Sequence, residues 1–352
     1  MEEYDINQEA KFAVSSSRYF SNWLAEHRIS LGFTTYRSNK LFLLGSHSDG
    51  QLSVSERSFP RCMGLYSDGN VQTLYLGTDM QIWRFERANS EGELYQDYDA
   101  IYIPQHSHVT GELDAHDISV TDNKQVIFVN TLFSCLANVS DTHSFKQVWQ
   151  PPFISELAPE DRCHLNGLAM DNGKPRYMTS VSQSNIERGW RKCRREGGLL
   201  LDIQANGIVA AGLSMPHSPR LYRDKLWMLN SGAGYFGSVD ISSGQFERTT
   251  FCPGYARGLA FIGDYAVVGL SKPRRERAFE GLPLQETLTK YNTDARCGLL
   301  IIDLNSGEVV HSLYIEGIIR ELYDVSVLAG VSRPMALGFK SNEIRRFISI
   351  DA

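Results

Sequence analysis

The feature that most constrains this chain is a short apolar strand, opened by polar residues, that recurs along most of its length. Its clearest copy is Arg162-Cys163-His164-Leu165-Asn166-Gly167-Leu168-Ala169-Met170. Equivalent positions fall at Met63, His116, Asn166, Ser218, Arg257 and Tyr323, separated by 53, 50, 52, 39 and 66 residues. Each copy leads through a polar turn into a second strand, then a third and often a fourth. Residues 166–170 lead to 175–179 and 198–202, and residues 257–261 lead to 265–270 and 298–303. Four strands per unit at a period of roughly 40–50 residues is the mark of a β-propeller. Its radial sheets bury both faces against neighbouring blades and expose only short edges.

The expected fold is therefore all-β, a β-propeller of six blades closed by strands from both ends of the chain. The copy at Tyr323 lacks following strands, and the unassigned strands at 30–36, 40–45 and 51–55 supply them. Unequal spacing leaves five or seven blades open, whereas a two-sheet sandwich gives no reason for the period. Residues 1–29 read as an N-terminal extension and 30–352 as one propeller domain. Within the extension, residues 1–14 read as loose. Ser15-Ser16-Ser17 can cap a helix over 18–26 that carries Tyr19, Phe20, Trp23 and Leu24 on one face. Two polar, charged insertions, 180–196 and 271–296, break the rhythm. In a propeller such loops lie over one face and often cover a site.

A net charge of −6 argues against a nucleic-acid or anionic-membrane surface. The basic clusters Arg191, Lys192, Arg194, Arg195 and Lys272, Arg274, Arg275 are short and read as solvated loops. The N-terminus lacks a secretory pattern and no run of about 18 apolar residues is present. Six scattered cysteines without a CxxC pair fit a reduced, cytoplasmic protein. GxGxxG, P-loop and GxSxG motifs are absent.

In a propeller the first strand of each blade lines the central channel, so equivalent side chains of successive blades converge on the axis. Near that phase lie Arg61, Asp114, His116, Asp117, His164, Asn166, His217, Ser218, Tyr255, Arg257, Glu321, Tyr323 and Asp324. His116, His164 and His217 can hold a divalent transition metal (zinc, iron, manganese or copper) with an open position. His108, in His106-Ser107-His108, is a further candidate ligand. Arg257 and Tyr255 can grip an anionic or carbonyl group, and Asp117 and Tyr323 are candidates for acid–base work. Asn166, Ser218, Arg61 and Asn230 are candidate substrate contacts. A calcium site built from Asn166, Asn230, Asp117 and Glu321 oxygens competes with this reading. So does a channel in which these groups merely hydrogen-bond strand ends and water. Cys163, beside His164, is a candidate nucleophile or a small buried residue.

Several longer strings carry a resemblance. They include residues 128–137, 160–170, Gly212-Leu213-Ser214-Met215-Pro216-His217-Ser218-Pro219-Arg220, Pro253-Gly254-Tyr255-Ala256-Arg257-Gly258-Leu259-Ala260-Phe261 and 268–274. Over about 30–350 the chain resembles a bacterial family of conserved hypothetical proteins, described as a domain of unknown function (DUF4915). That resemblance supports the motif boundaries and implies no activity. More loosely, the chain is similar to six-bladed propeller enzymes such as the amidating lyase and the gluconolactonase-like group. That similarity implies a metal on the axis, as fold-level analogy. The expected function is a metal-dependent enzyme acting on a small molecule or a peptide side chain; lyase, hydrolase, isomerase and oxygenase chemistry all stay open. The alternative is a non-catalytic module whose insertion-bearing face recognises a protein or peptide.

Overall fold

Six four-stranded antiparallel blades form a ring in the computed structural model, which describes residues 12–272 and 281–350. Residues 1–11 of the expected loose extension, and Arg274 and Arg275 of the second basic cluster, lie outside the described residues. Blade 1 is closed by both ends of the chain. Its inner strand, Val325–Ala329, pairs with Ile29–Thr35 (Leu31 opposite Val327), and Lys40–Ser46 and Leu52–Ser58 complete the sheet. The inner strands of blades 2 to 6 are Leu65–Ser67, Ala115–Val120, Leu165–Asp171, Pro216–Tyr222 and Tyr255–Ile262.

The second strand of each blade is apolar on both faces because neighbouring blades cover both. Val126–Asn130 is buried throughout. Ile127, Val129, Leu168 and Met178 pack together between blades 3 and 4, and Leu229, Phe236, Leu259 and Val268 between blades 5 and 6. Around the ring, this burial against both neighbours is the main stabilising term.

The ends of the chain add to the sheets in ways the sequence reading did not anticipate. Phe12–Ser16, expected to be loose at its start and to cap a helix at its end, is a strand on the outer edge of blade 6, with Phe12 opposite Gly317. Its Phe12 and Val14 side chains pack against the apolar core beneath, which secures the edge. The helix that follows is Phe20–Glu26, without a side-chain cap; Phe20, Trp23 and Leu24 are buried while Tyr19 is 59% exposed. At the other end, Pro334–Ala336 adds a parallel fifth strand to blade 2. Among the described residues no helix is long and apolar enough to cross a membrane.

Side-chain to backbone bonds lock neighbouring blades in register at the axis. The hydroxyls of Thr131, Ser231 and Ser271, just past second strands or ending one, donate to the carbonyls of Leu165, Ala256 and Leu322 in the next blade. The residues after those carbonyls are Asn166, Arg257 and Tyr323. Asn130 pairs with Ala115 and Asn230 with Pro216, which makes His116 and His217 equivalent. The ring position of blade 5 is therefore His217 rather than Ser218. One residue further on, the ring alternates between an acceptor and glycine. Asp324 Oδ2 accepts from Leu65 N–H (2.9 Å), Asp117 Oδ2 from Leu168 N–H (2.9 Å) and Ser218 Oγ from Gly258 N–H (3.2 Å). The intervening blades place Gly64, Gly167 and Gly258 there. A Cβ on Gly167 would stand 2.7 Å from Ser218 N, and one on Gly258 2.6 Å from Val325 N, so only glycine permits this approach.

Candidate functional site

The N-terminal ends of the inner strands gather His116, Asn166, His217, Arg257 and Tyr323 on the axis, each no more than 8% exposed. The turn before each inner strand adds a second tier. Arg61, Asp114, His164 and Met215, each two residues ahead of the ring position in blades 2 to 5, have φ of 45°, 51°, 56° and 44°. Four non-glycine residues in the left-handed region at one repeat phase form a shared strained turn. This turn brings His164 back towards the ring. The His116 and His164 rings lie edge to face at 5.0 Å, and His116 and Tyr323 at 5.3 Å.

Hydrogen bonds fix the tautomer of each imidazole. The Thr131 hydroxyl hydrogen is committed to Leu165 O, so His116 Nδ1–H donates to Thr131 Oγ1 (2.8 Å) and Asp114 O (2.9 Å). His217 Nδ1–H donates to Met215 O at 2.8 Å. His164 Nδ1–H donates to the Asp161 carboxylate, 2.8 Å from Oδ1 and 3.0 Å from Oδ2. As neutral imidazoles all three rings carry their lone pair on Nε2, and among the described residues His217 Nε2 is buried without a partner. Burial, with His164 and Arg257 nearby, holds the proton affinity of His116 well below the ordinary value. Burial and the Arg257 charge do the same at His217. Burial raises the Tyr323 hydroxyl well above its usual range, with the Arg257 charge opposing it.

Arg257 is clamped between aromatic rings, its guanidinium carbon 4.7 Å from the Tyr323 centroid and 5.3 Å from that of Tyr255. Asn166 Nδ2 donates to Pro216 O (3.0 Å), while Asn166 Oδ1 has no partner. At the rim, Arg61 binds Tyr36 (2.8 Å), Asp114 (2.7 Å) and Glu112.

Both insertions cover this face. Trp190, in the short helix Gly189–Lys192, stacks on His164 at 4.1 Å and donates Nε1–H to Asp161 Oδ2 at 2.7 Å. The helix Pro283–Lys290 packs Leu284 and Leu288 against Trp190, Met215 and Tyr255. Arg195 joins the two insertions through Glu286 (2.7 Å). Asp161 and Trp190 were missed by sequence reasoning; the signal was a tryptophan inside an otherwise charged insertion.

Other candidates lie elsewhere. His108 is on the outermost antiparallel strand of blade 2, Ala100–Val109, against His106 (4.5 Å between rings) and facing Asp141 across a groove towards blade 3. It is off the axis because its strand is the fourth of its blade. Asp117 and Ser218 turn their oxygens to the next blade, as described above. Asn230 Oδ1 accepts from Ser214 N–H at 2.8 Å and so caps a turn. Cys163 is fully buried and its thiol is pushed up to about 12 by burial, which leaves no nucleophile at neutral pH. Among the described residues, no three His, Cys, Asp or Glu side chains already form a metal-holding group.

Below the ring the channel narrows to an ion cluster. Arg220 is bidentate to Asp117 (2.8 and 3.2 Å) and 4.0 Å from Asp324. Burial and Asp117 push the Asp324 carboxyl up to about 7, against the opposing Arg220 charge and backbone N–H groups. Beyond it a cavity of about 340 Å³, lined by Leu65, Ile118, Leu168, Leu259 and Phe261 among others, opens towards the opposite face.

Similar architecture occurs among solved structures. A chain of the nidogen/laminin complex matches at a TM-score of 0.56 and 11% identity, covering 86% of this chain and 99% of that one. Selenomethionine-substituted virginiamycin B lyase from Staphylococcus aureus matches at 0.38 and 10% identity, covering 88% of this chain and 100% of that one. The first likeness shows the fold alone, and the second carries no argument. No curated protein matches the chain. A family profile does, over residues 18–337, and the chain belongs to the family described as a domain of unknown function, DUF4915.

Proposed function

We propose that the axial site binds a divalent transition metal through Nε2 of His116, His164 and His217, and that the protein is a metal-dependent enzyme acting on a small molecule or a peptide side chain. The observation that carries this is the shared hydrogen bonding of the three imidazoles through Nδ1. Each Nδ1–H is held by a carbonyl or a carboxylate, which is the usual outer-shell arrangement around a metal-bound histidine. Asp161 and Trp190 set His164, Thr131 and Asp114 set His116, and the Met215 carbonyl sets His217. Depressed proton affinity at His116 and His217 keeps their lone pairs available at neutral pH. Arg257 and Tyr323 stand beside the rings as substrate-holding and acid–base groups. Cytoplasmic placement belongs to the same reading and is supported by six unpaired cysteines, five of them buried.

Elemental analysis of native protein tests the reading. Stoichiometric zinc, iron, manganese or copper, lost in His164→Ala, is the expected result. Metal-free native protein that gains no metal on reconstitution, with unchanged behaviour of the histidine variants, would overturn it. The two insertions, joined over this face by Arg195 and Glu286, favour a second reading, a non-catalytic module that recognises a protein or peptide through the insertion-bearing face. That reading requires the same metal-free result together with retained partner binding in His164→Ala.

A further inference from the structure

Among the described residues, four buried polar atoms of the axial ring have no hydrogen-bond partner: Arg257 Nε, Tyr323 Oη, His217 Nε2 and Asn166 Oδ1. They come from four consecutive blades, 6, 1, 5 and 4, at the same repeat position. Leaving a buried polar group unsatisfied is destabilising, so four at one place mark a site made for a ligand. Two of them, on Arg257 and Tyr323, are donors. The other two are acceptors.

Arg257 adds a charge to this pattern. Burying a guanidinium is strongly unfavourable unless an anion compensates it. Among the described residues no carboxylate stands within ion-pair distance of Arg257. Glu321 acts on it from further away and itself faces Arg37 at 3.7 Å. The Tyr323 and Tyr255 rings lie 4.7 and 5.3 Å from the guanidinium carbon and Tyr255 also hydrogen-bonds the side chain, which leaves Nε and the edge beside it for an anion. That edge is a planar fork whose two N–H groups match the two oxygens of a carboxylate, and a sulfate control separates this from a site for any oxyanion.

We infer that the axial site takes a ligand bearing a carboxylate, held by Arg257 and the Tyr323 hydroxyl, with an adjacent hydroxyl or amine hydrogen donated to Asn166 Oδ1. This names the substrate class for the reading above and rests on it only for what the metal does. The carboxylate subsite stands on Arg257, Tyr323 and Asn166, none of which is a proposed metal ligand. The two occupants also assist each other. The Arg257 charge that opposes protons at His116 and His217 opposes a metal cation as well, and a bound carboxylate offsets it.

The test uses the full chain after chelator treatment, with acetate and lactate as probes and lactamide and sulfate as controls, read by thermal shift and calorimetry. Lactate stabilises the wild type and binds more tightly than acetate, while lactamide does not bind. Arg257→Met abolishes the effect. Arg257→Lys, which keeps the charge and guards against a misfolded methionine variant, weakens lactate at least about tenfold through loss of the fork. Lactate binding that is equal in wild type and Arg257→Lys, sulfate that matches lactate, or a wild type that binds neither carboxylate overturns the inference. Lactate binding through Arg257 in a protein that never takes up metal sinks the metal reading alone. Stoichiometric metal with anion binding indifferent to Arg257 sinks this one alone.

Discussion

Replacing Arg220 with methionine tests whether the ion cluster below the ring holds the blades together. Arg220 lies where blades 3, 5 and 1 meet, and its partners Asp117 and Asp324 have side chains only 7% and 5% exposed. Its guanidinium satisfies both Asp117 oxygens and donates to the carbonyls of Leu168 (2.9 Å) and Pro219 (3.0 Å). Methionine follows the apolar stem, so little packing is lost and the effect is electrostatic. It leaves two buried carboxylates with backbone N–H groups as their remaining donors. Breaking a buried pair this way costs about 3–5 kcal/mol. Against a total of about 5–15 kcal/mol for a single domain, that is a large fraction. A quarter of the Arg220 side chain faces the lower cavity, so the low end of the range is expected.

The sign of the pH dependence follows from the same cluster. The folded Asp324 carboxyl titrates near 7 rather than in the ordinary carboxylate range, so the folded chain holds a proton there that the unfolded chain releases. Stability from this group is lost as pH rises from about 4 towards 7. Without Arg220 the carboxylates bind that proton more tightly, so the variant loses stability with pH more steeply than the wild type. Denaturant titrations at pH 5 and pH 8 should show the larger deficit at pH 8. The triple variant Arg220→Met, Asp117→Asn, Asp324→Asn should recover most of it, since its amide oxygens still accept from Leu168 and Leu65. A single variant that loses less than about 1 kcal/mol, or a triple variant no better than the single, refutes the assignment.

Gly167→Ala should cost about 1–3 kcal/mol, seen as a lower midpoint in thermal denaturation, because its Cβ would press on Pro219 Cδ at 2.5 Å and force blades 4 and 5 apart. In native protein a maleimide should label Cys193 alone, the one exposed cysteine; mass spectrometry showing equal labelling of Cys163 would contradict its burial. Metal-free protein should lose stability as pH falls below about 6.5, because His116 and His217 take up protons only on unfolding. The double variant His116→Gln, His217→Gln should flatten that acid limb in denaturation curves collected across pH, and an unchanged limb would place its origin elsewhere.

The ring was legible in the sequence because each blade repeats the same physical problem. A strand buried on both faces must be apolar, and its polar opening must face the axis, so the period and the polar phase appear together. His116, Asn166, Arg257 and Tyr323 could be placed from that phase, His217 one residue off it, and all six blades follow by counting, one of them closed by both ends of the chain. The register within a blade was less legible. In blade 5 the choice between His217 and Ser218 is decided only by strand pairing, Pro216 standing opposite Asn230 as Ala115 stands opposite Asn130. His108 misled because alternation shows that two rings share a face but not which strand of the blade carries them. Asp117 looked catalytic because a buried carboxylate at the polar phase has two uses, chemistry or a latch, and only the position of Leu168 N–H decides between them.

The left-handed turn ahead of the inner strands of blades 2 to 5 had no sequence signature, since arginine, aspartate, histidine and methionine occupy it in turn. That absence bears on function. A turn needed only for chain reversal would be met most cheaply by glycine. Here the backbone strain is accepted in four blades with full side chains. Two of them, Arg61 and Asp114, bind each other at the rim, and His164 is held by Asp161 beneath Trp190. Strain of about 1–3 kcal/mol at such a residue persists when the surroundings hold it in place, and at His164 the surroundings are a carboxylate and an indole from a loop insertion. The second tier is therefore the part of the ring in which side-chain placement has been favoured over backbone comfort. His164 is also the residue whose loss separates the proposed functions.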